Sequence, residues 1–443
     1  MRRAQSALVG VALALAAACE SNPIRPDAAS PRGTPEPRFA ALPVSQTAAD
    51  EISLNVLKYH FPLRIIVDAM FATSDTANHT VVGYIHAGDA AIWTGHFLAA
   101  EAFRYASTGN QAALDNVKAA LDGINRLSVV TSTGPAGQTQ PGLLARFYMP
   151  QDWEHKDSVF ARERADAFYE GVLDGKPHWW MAFTSRDQYS GVFFGLGVAY
   201  SLIPKTETGI HSQASAIATR LLDYLLKSGW NVVNPNGTTS TTFSGRYDQQ
   251  LSFLQVGRRL NPTKFDATYK SYRTKYASWV ATPIRLECSD PHGSYYKFNL
   301  NHINLFNLVR LEETTSSYRK TYLNAFNDLR NCTGSHQNAH FNMIDRGLRG
   351  ANSTQDAATR EYLRLWLERP QRDYYVDLRG KYEACGENRA CSPIPINERL
   401  NTDFLWQRSP FLLYGGGDGR TETAALDYLL PYWMGRYYGV ITQ

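Results

Sequence analysis

Recurring helical periodicity constrains the fold of this chain more than any other feature of its sequence. From about residue 49 onward, apolar residues recur at i, i+3, i+4 and i+7, and strand-like alternation is scarce. The joints between the periodic segments contain Gly, Pro and Asn, as in Thr108-Gly109-Asn110 and Asn261-Pro262, which are typical helix stop and start signals. The sequence therefore predicts an all-α protein made of helical hairpins.

The periodic segments form five hairpins with one additional helix at each end. The hairpins pair 88–107 with 111–127, 187–203 with 210–229, 246–259 with 263–281, 299–312 with 316–331, and 337–348 with 354–369. The terminal helices, 49–73 and 421–438, are expected to pair as a sixth hairpin and close the circle. Pro431 is expected to kink or break the last helix.

Two connections, about 128–186 and 370–420, are much longer than the others. Structureless connections of this length are uncommon unless they are functional, so we expect loops that wall a cleft. The first contains Trp180, a candidate substrate-binding residue, among other aromatic residues. The second contains a glycine-rich segment, 415–419, which is predicted to be a hinge or turn. Binding of an anion or a sugar hydroxyl by its backbone is the alternative.

Residues 1–18 have the pattern of a signal peptide, with a basic start and an apolar stretch from Ala7 to Ala18. The alanines before Cys19 resemble the lipobox of bacterial lipoproteins. This resemblance implies a lipid on Cys19 and, because Glu20 rather than Asp follows it, an outer-membrane anchor. The alternative is ordinary signal-peptide cleavage with an incidental cysteine. Residues 19–48 contain six prolines and are expected to form a flexible linker to a single domain at 49–443.

Four cysteines remain in the expected domain, and an even number favours disulfides in an exported protein. Cys385 and Cys391 flank a short loop and are expected to pair, which leaves Cys288 for Cys332. Metal binding by these cysteines is the alternative. Because the sequence has no C-x-x-C spacing, no metal site is expected.

Charge and hydropathy exclude two classes of function. The chain has 45 Lys+Arg and 41 Asp+Glu residues without a basic block, so no nucleic-acid partner is expected. No apolar run after residue 20 approaches the roughly 18 residues of a membrane span, so membrane contact is expected through the lipid anchor only. The sequence also lacks P-loop, G-x-S-x-G and H-E-x-x-H motifs.

Alternate helices differ in character. Those starting near 88, 187, 246, 299, 337 and 421 carry Gly, Asn and clustered aromatic residues near their starts, whereas the intervening helices are ordinary amphipathic ones. Together, the hairpins over 49–440 resemble the six-hairpin (α/α)6 toroid superfamily of carbohydrate-active enzymes. This resemblance implies inner helices whose N-terminal ends meet at one mouth, a carbohydrate substrate and no cofactor. A helical repeat array is the alternative, but no fixed period supports it.

Two inner-helix starts carry candidate catalytic carboxylates. Asp89 shares a helical face with two candidate substrate-binding residues, Trp93 and His96, and an aromatic ring beside polar groups is typical of a sugar site. Asp187 follows Thr184 and Ser185 at the second start, where its neighbours are predicted to bind substrate: Arg186, Gln188 and Tyr189. N-capping and core packing are the alternatives at both starts. Weaker candidates lie at the other starts: Asp248, Asn301, His302 and the segment 340–346.

Three functions remain open. In a glycoside hydrolase, Asp89 and Asp187 form the acid/base pair, with Asp248 as the substitute, and their carboxyl groups lie about 5–10 Å apart. In a polysaccharide lyase, Tyr189 or His302 is the base, and the uronate carboxylate is neutralised by Arg186, Asn301 or Gln188. A non-catalytic, glycan-binding surface lipoprotein has neither arrangement. We expect the hydrolase, acting on an oligosaccharide or polysaccharide.

Overall fold

A computed structural model describes residues 42–290, 292, 295–400 and 408–442. Over these residues the chain is mainly helical, with short strands between the helices. No described helix is both long enough and apolar enough to cross a membrane. The predicted signal peptide, Cys19 and most of the predicted linker lie outside the described residues.

The ten helices of the five predicted hairpins are present, and the mainly α-helical character is confirmed. They are α2 (Ala90–Thr108), α3 (Gln111–Val129), α5 (Arg186–Leu202), α6 (Thr208–Lys227), α7 (Tyr247–Leu260), α8 (Pro262–Tyr276), α10 (Tyr296–Arg310), α11 (Ser317–Thr333), α12 (Ala339–Arg349) and α13 (Ser353–Leu367). Three shorter helices are α1 (Gln46–Asn55), α4 (Lys156–Phe160) and α9 (Ala281–Cys288), and the last helix is α14 (Leu426–Tyr437).

The joint between α2 and α3 shows why these ends are predictable. Gly109 adopts the left-handed conformation that ends α2, with φ of 65°. The Asn110 side chain then accepts a hydrogen bond from the Ala112 N–H at 2.8 Å and caps the start of α3.

The predicted helix 49–73 is wrong in its second half. α1 ends at Asn55, a π-helical turn follows, and Asp68–Phe71 forms strand β1. β1 lies between β2 (Val81–Ile85) and β10 (Thr421–Glu422) in an antiparallel sheet. The apolar run that precedes β1 is buried, and periodicity does not distinguish a short buried strand from a buried helix.

The last helix starts later than predicted, because residues 421–422 belong to β10. Pro431 lies inside α14, which continues through it to Tyr437, so the predicted break does not occur.

The two long connections contain paired strands, so the expectation of loops is wrong for these parts. In the first connection, β5 (Lys176–Met181) pairs with β3 (Phe147–Pro150) and β4 (Phe168–Leu173). In the second, β8 (Tyr374–Asp377) pairs with β9 (Tyr414–Asp418), which contains most of the glycine-rich segment. A further hairpin, β6 (Asn231–Val233) with β7 (Thr239–Thr242), lies between α6 and α7.

Six helices contact one another in a closed order. α2 packs against α5, α5 against α7, α7 against α10, α10 against α12, α12 against α14, and α14 against α2. Each of α3, α8, α11 and α13 packs against the helix that precedes it in the chain, and α1 packs against α14. α5 and α10 also contact each other directly.

Five helices of this closed set, α2, α5, α7, α10 and α12, run in the same direction. Along α2 and α5, Ile92 contacts Gln188 and, one turn later, Gly95 approaches Gly195. Three further pairs show the same order of contacts. Ser190 and Phe193 of α5 contact Asn304 and Asn307 of α10, respectively. The start of α7 contacts Asn301 and its middle contacts Glu312, while His302 and Phe306 of α10 contact Phe341 and Gly347 of α12, respectively. The N-terminal ends of these helices therefore lie on one side of the molecule.

Both predicted disulfides are present. The sulfur atoms are 1.99 Å apart in Cys288–Cys332 and 2.09 Å apart in Cys385–Cys391. The first joins the end of α9 to α11, and the second closes a short turn in the second long connection.

Candidate active site

The N-terminal ends of α2 and α5 hold Asp89 and Asp187 against one amide nitrogen. Gln188 Nε2 donates to Asp89 Oδ1 at 3.0 Å and to Asp187 Oδ2 at 3.3 Å. The separation of these two oxygens cannot exceed the sum of the two distances, about 6.3 Å. The structure therefore brings the two predicted carboxylates together, at a separation below the upper limit of the expected range of about 5–10 Å. Both side chains are half-buried.

Packing of α2 against α5 fixes this bridge. Gln188 Oε1 accepts a hydrogen bond from the Ile92 N–H at 2.9 Å, so the amide NH2 group must face the two aspartates. Glycines allow the close approach, because a Cβ on Gly191 would lie 2.5 Å from the Ile92 carbonyl oxygen. The distance between Asp89 and Asp187 is thus set by helix packing.

The two carboxylates have different surroundings. Arg146, from the first long connection, lies 3.3 Å from Asp89 Oδ1 and donates to the Gly88 carbonyl at 2.6 Å. Asp89 therefore has a cation and an amide as donors, and its side chain is 22% exposed. Asp187 Oδ1, by contrast, is buried and has no hydrogen-bond partner among the described residues. Unequal environments are what an acid/base pair of carboxyl groups requires.

Asp248, the predicted substitute, is enclosed in an ion-pair network. It is fully buried, and both of its oxygens accept hydrogen bonds from Arg246, at 3.1 and 2.8 Å. Burial raises the pKa of Asp248, and the charge of Arg246 opposes that rise. Arg246 also donates to Asn301 Oδ1 at 3.0 Å and to Glu287. Asp248 and Asn301 thus both form hydrogen bonds with other residues of the protein.

Arg186 lies beside this network but does not join it. Its side chain is half-buried, and it makes no hydrogen bond or ion pair with the residues that the structure describes. Burial lowers the pKa of Arg186 below its ordinary value, and the nearby charge of Arg246 adds to this effect.

Five predicted substrate-binding side chains are core residues in the structure: Trp93, His96, Trp180, Tyr189 and His302. The Tyr189 hydroxyl accepts a hydrogen bond from the Leu144 N–H, and the His302 ring stacks on a phenylalanine with centroids 3.7 Å apart. Burial lowers the pKa of His96 to about 4, so this ring is neutral at pH 7. Protein encloses all five side chains, so the predicted contact of these side chains with substrate has no support in the structure.

Glu163 is a carboxylate near Asp89 that sequence reasoning missed. Its Oε1 accepts a hydrogen bond from the Gly88 N–H at 3.2 Å. Burial raises the pKa of Glu163, and the Gly88 hydrogen bond and the charge of Arg146 oppose that rise. Arg146 and Glu163 both lie in the first long connection, where no motif marks them.

His86 and Asp68 form a second missed pair at this rim. His86 Nδ1 lies 2.7 Å from Asp68 Oδ2, and the His86 carbonyl accepts a hydrogen bond from the Asp89 N–H. Asp68 and Ile85 are opposite residues of β1 and β2, and this register places His86 beside Asp68. His86 has φ of 55°, which is uncommon for a residue other than glycine. Only its nearness to Asp89 in the sequence signalled it.

Among the described residues, no group of three or more His, Cys, Asp or Glu side chains is arranged to hold a metal ion. No protein-family model, curated protein or solved structure matches the chain. The function is therefore inferred from the residues of the site.

Proposed function

We propose that the protein is a glycoside hydrolase of the (α/α)6 toroid type, with Asp89 and Asp187 as its catalytic carboxyl groups. The closed order of six helices and the common direction of five of them support the toroid. The Gln188 bridge carries the catalytic part of the proposal, because it holds two half-buried carboxylates a few ångströms apart at adjacent helix starts.

The surroundings of each carboxylate favour one role. Asp89 accepts hydrogen bonds from Arg146 and Gln188, so it is assigned as the ionised nucleophile that attacks the anomeric carbon. Asp187 is assigned as the acid that gives its proton to the leaving oxygen as the glycosidic C–O bond breaks. It then takes a proton from the water that releases the sugar from Asp89.

The limit of about 6.3 Å on the separation of the bridged oxygens favours this double displacement. Inverting enzymes hold their carboxyl groups about 6.5–9.5 Å apart, to leave room for a water molecule. Proton NMR of the first-formed product should therefore show retention of the anomeric configuration. Inversion would contradict the role of Asp89 as nucleophile.

The alternatives have less support. The two bases predicted for a lyase, Tyr189 and His302, are fully buried in the core. A glycan-binding protein needs accessible aromatic rings, but Trp93 and Trp180 are buried as well.

A two-channel screen tests the proposed reaction. The full-length chain is incubated with neutral and uronate-containing glycans, and reducing ends and the ultraviolet absorbance of an unsaturated uronate are followed together. Hydrolysis predicts new reducing ends without new absorbance. A rise in absorbance would instead show elimination and overturn the hydrolase assignment.

We further propose that the chain is exported and anchored in the outer membrane through a lipid on Cys19, which the Ala-Ala-Ala-Cys arrangement supports. Labelled palmitate should be incorporated by the wild-type chain and not by Cys19→Ser. Equal labelling of both would contradict the anchor.

A further inference from the structure

We propose that Arg186 binds the carboxylate of a uronic acid residue next to the scissile bond, so that the substrate is an acidic glycan. This inference rests on the proposed function, because it assigns the substrate class of the same site. Its evidence is a difference between two neighbouring arginines at the starts of α5 and α7.

Protein partners occupy four of the five N–H donors of Arg246. Its Nε and Nη2 donate to the two Asp248 oxygens, Nη2 also donates to Asn301, and Nη1 donates to Glu287. Asn301 Nδ2 in turn donates to Glu287 Oε2 at 2.6 Å, which locks the glutamate onto the same arginine. Both carboxylates of this network bond to Arg246, and neither makes a hydrogen bond to Arg186.

Arg186 has no such partners among the described residues. Its five N–H donors form no hydrogen bond within the described part of the chain, although the side chain is half-buried. None of its nitrogen atoms is among the buried atoms that lack a partner, so the guanidinium stays accessible from solvent. Asp248 and Glu287 help it to stay charged, because their negative charges oppose the effect of burial. A ligand that enters from solvent can therefore reach donors that no described residue occupies.

The chemistry of the missing partner follows from the geometry of arginine. The planar guanidinium presents two parallel N–H groups that match the two oxygens of a carboxylate. Gln188 and Asn301, the other residues predicted to neutralise a uronate, already bind protein carboxylates. Arg186 and Asp187 both lie in the first turn of α5, with Arg186 near the Arg246 network and Asp187 near Asp89, so the sugar that Arg186 binds is close to the scissile bond.

Binding measurements with matched ligands test this assignment independently of catalysis. Isothermal titration of the full-length chain compares oligosaccharides of galacturonate, glucuronate and mannuronate, their carboxyl-reduced counterparts and a sulfated neutral oligosaccharide. We expect the wild-type chain to bind one of the uronate series at least about tenfold more tightly than its reduced counterpart. Tighter binding of the sulfated ligand, or equal binding of uronate and reduced forms, would overturn the assignment.

Substitutions then locate the effect. Arg186→Gln should weaken uronate binding at least about tenfold and leave binding of the reduced form unchanged. Arg186→Lys keeps the charge but loses the paired donors, so its uronate affinity should be intermediate. The control Arg64→Gln removes an exposed arginine that pairs with Asp122, and it should bind uronate as the wild type does. Uronate affinity that is unchanged in both Arg186 variants would refute the proposal.

The two proposals fail in different ways. Hydrolysis restricted to neutral glycans would support the hydrolase proposal and refute the proposed uronate-binding role of Arg186. Binding of uronate that depends on Arg186, without cleavage of any glycan, would support the role of Arg186 and refute the hydrolase proposal.

Discussion

Hydrogen bonds from Gln188 restrict the positions of the Asp89 and Asp187 carboxylates. Its Oε1 is committed to the Ile92 N–H, and its Nε2 has one hydrogen for each aspartate. Gln188 itself is fully buried. One buried side chain therefore sets the position of Asp187 relative to Asp89.

Asp373 should make the stability of the protein depend on pH. Burial raises the pKa of Asp373 to about 7, while a Gly417 hydrogen bond and the charge of His86 oppose that rise. Because the folded state then holds a proton that the unfolded state has released, the free energy of unfolding falls as the pH rises from about 4 to about 7. The slope from this group is at most about 1.4 kcal/mol per pH unit.

Urea denaturation at several pH values measures this slope. Asp373→Asn should show a flatter decline over that interval than the wild type. The control is Asp377→Asn, since Asp377 is exposed and Arg379 lowers its pKa to about 2, so it stays ionised throughout. An unchanged slope in Asp373→Asn would refute the assignment.

At the residue level, the sequence located Asp89 and Asp187 because polar residues at helix starts are recognisable. The sequence did not show that Trp93 and His96 are buried in the core, unlike Asp89 and Asp187. Helical spacing shows which residues share a face but not what covers that face. Glu163 was not predictable at all, because a long connection has no periodicity to place it.

At the scale of elements, the contact between α2 and α5 determines the geometry of the site. Gly191→Ala would place a Cβ 2.5 Å from the Ile92 carbonyl oxygen, and backbone on both sides resists the shift. We expect a loss of about 1–3 kcal/mol or more in the free energy of unfolding, with the Gln188 bridge displaced.

Gly209→Ala is the matched control for this substitution. Gly209 lies in α6, and an added Cβ there meets no atom within 4 Å. Alanine is the better helix former, so this variant should be neutral or up to about 1 kcal/mol more stable. Equal stability changes in the two variants, measured by urea denaturation, would contradict a tight contact between α2 and α5.

The hairpin helices were predictable because caps and periodicity are local signals. The strand β1 was not, since its pairing with β10 joins segments about 350 residues apart, and the apolar run before it has no distinctive period. The Asp68–His86 contact depends on the same sheet, which explains why the sequence did not reveal it.

At the scale of the whole molecule, the two disulfides should contribute unequally to stability. Cys288–Cys332 spans 44 residues and Cys385–Cys391 spans 6. From the loop-closure entropy of the unfolded chain, the longer link should contribute about 4 kcal/mol and the shorter about 2 kcal/mol to the free energy of unfolding. Thermal denaturation of the two double Cys→Ala variants should show the larger loss for the first pair. A larger loss for the second pair would contradict this order.

The most direct test of the catalytic proposal is the rate at which the hydrolysed glycan is cleaved by three aspartate variants. Asp89→Asn and Asp187→Asn should each lose at least about 100-fold in kcat while keeping the wild-type melting temperature within a few degrees. Asp223→Asn removes an exposed aspartate of α6 that pairs with Lys264, and it should cleave at the wild-type rate. Wild-type kcat in either Asp89→Asn or Asp187→Asn would contradict the central claim that these two carboxyl groups act together on the glycosidic bond.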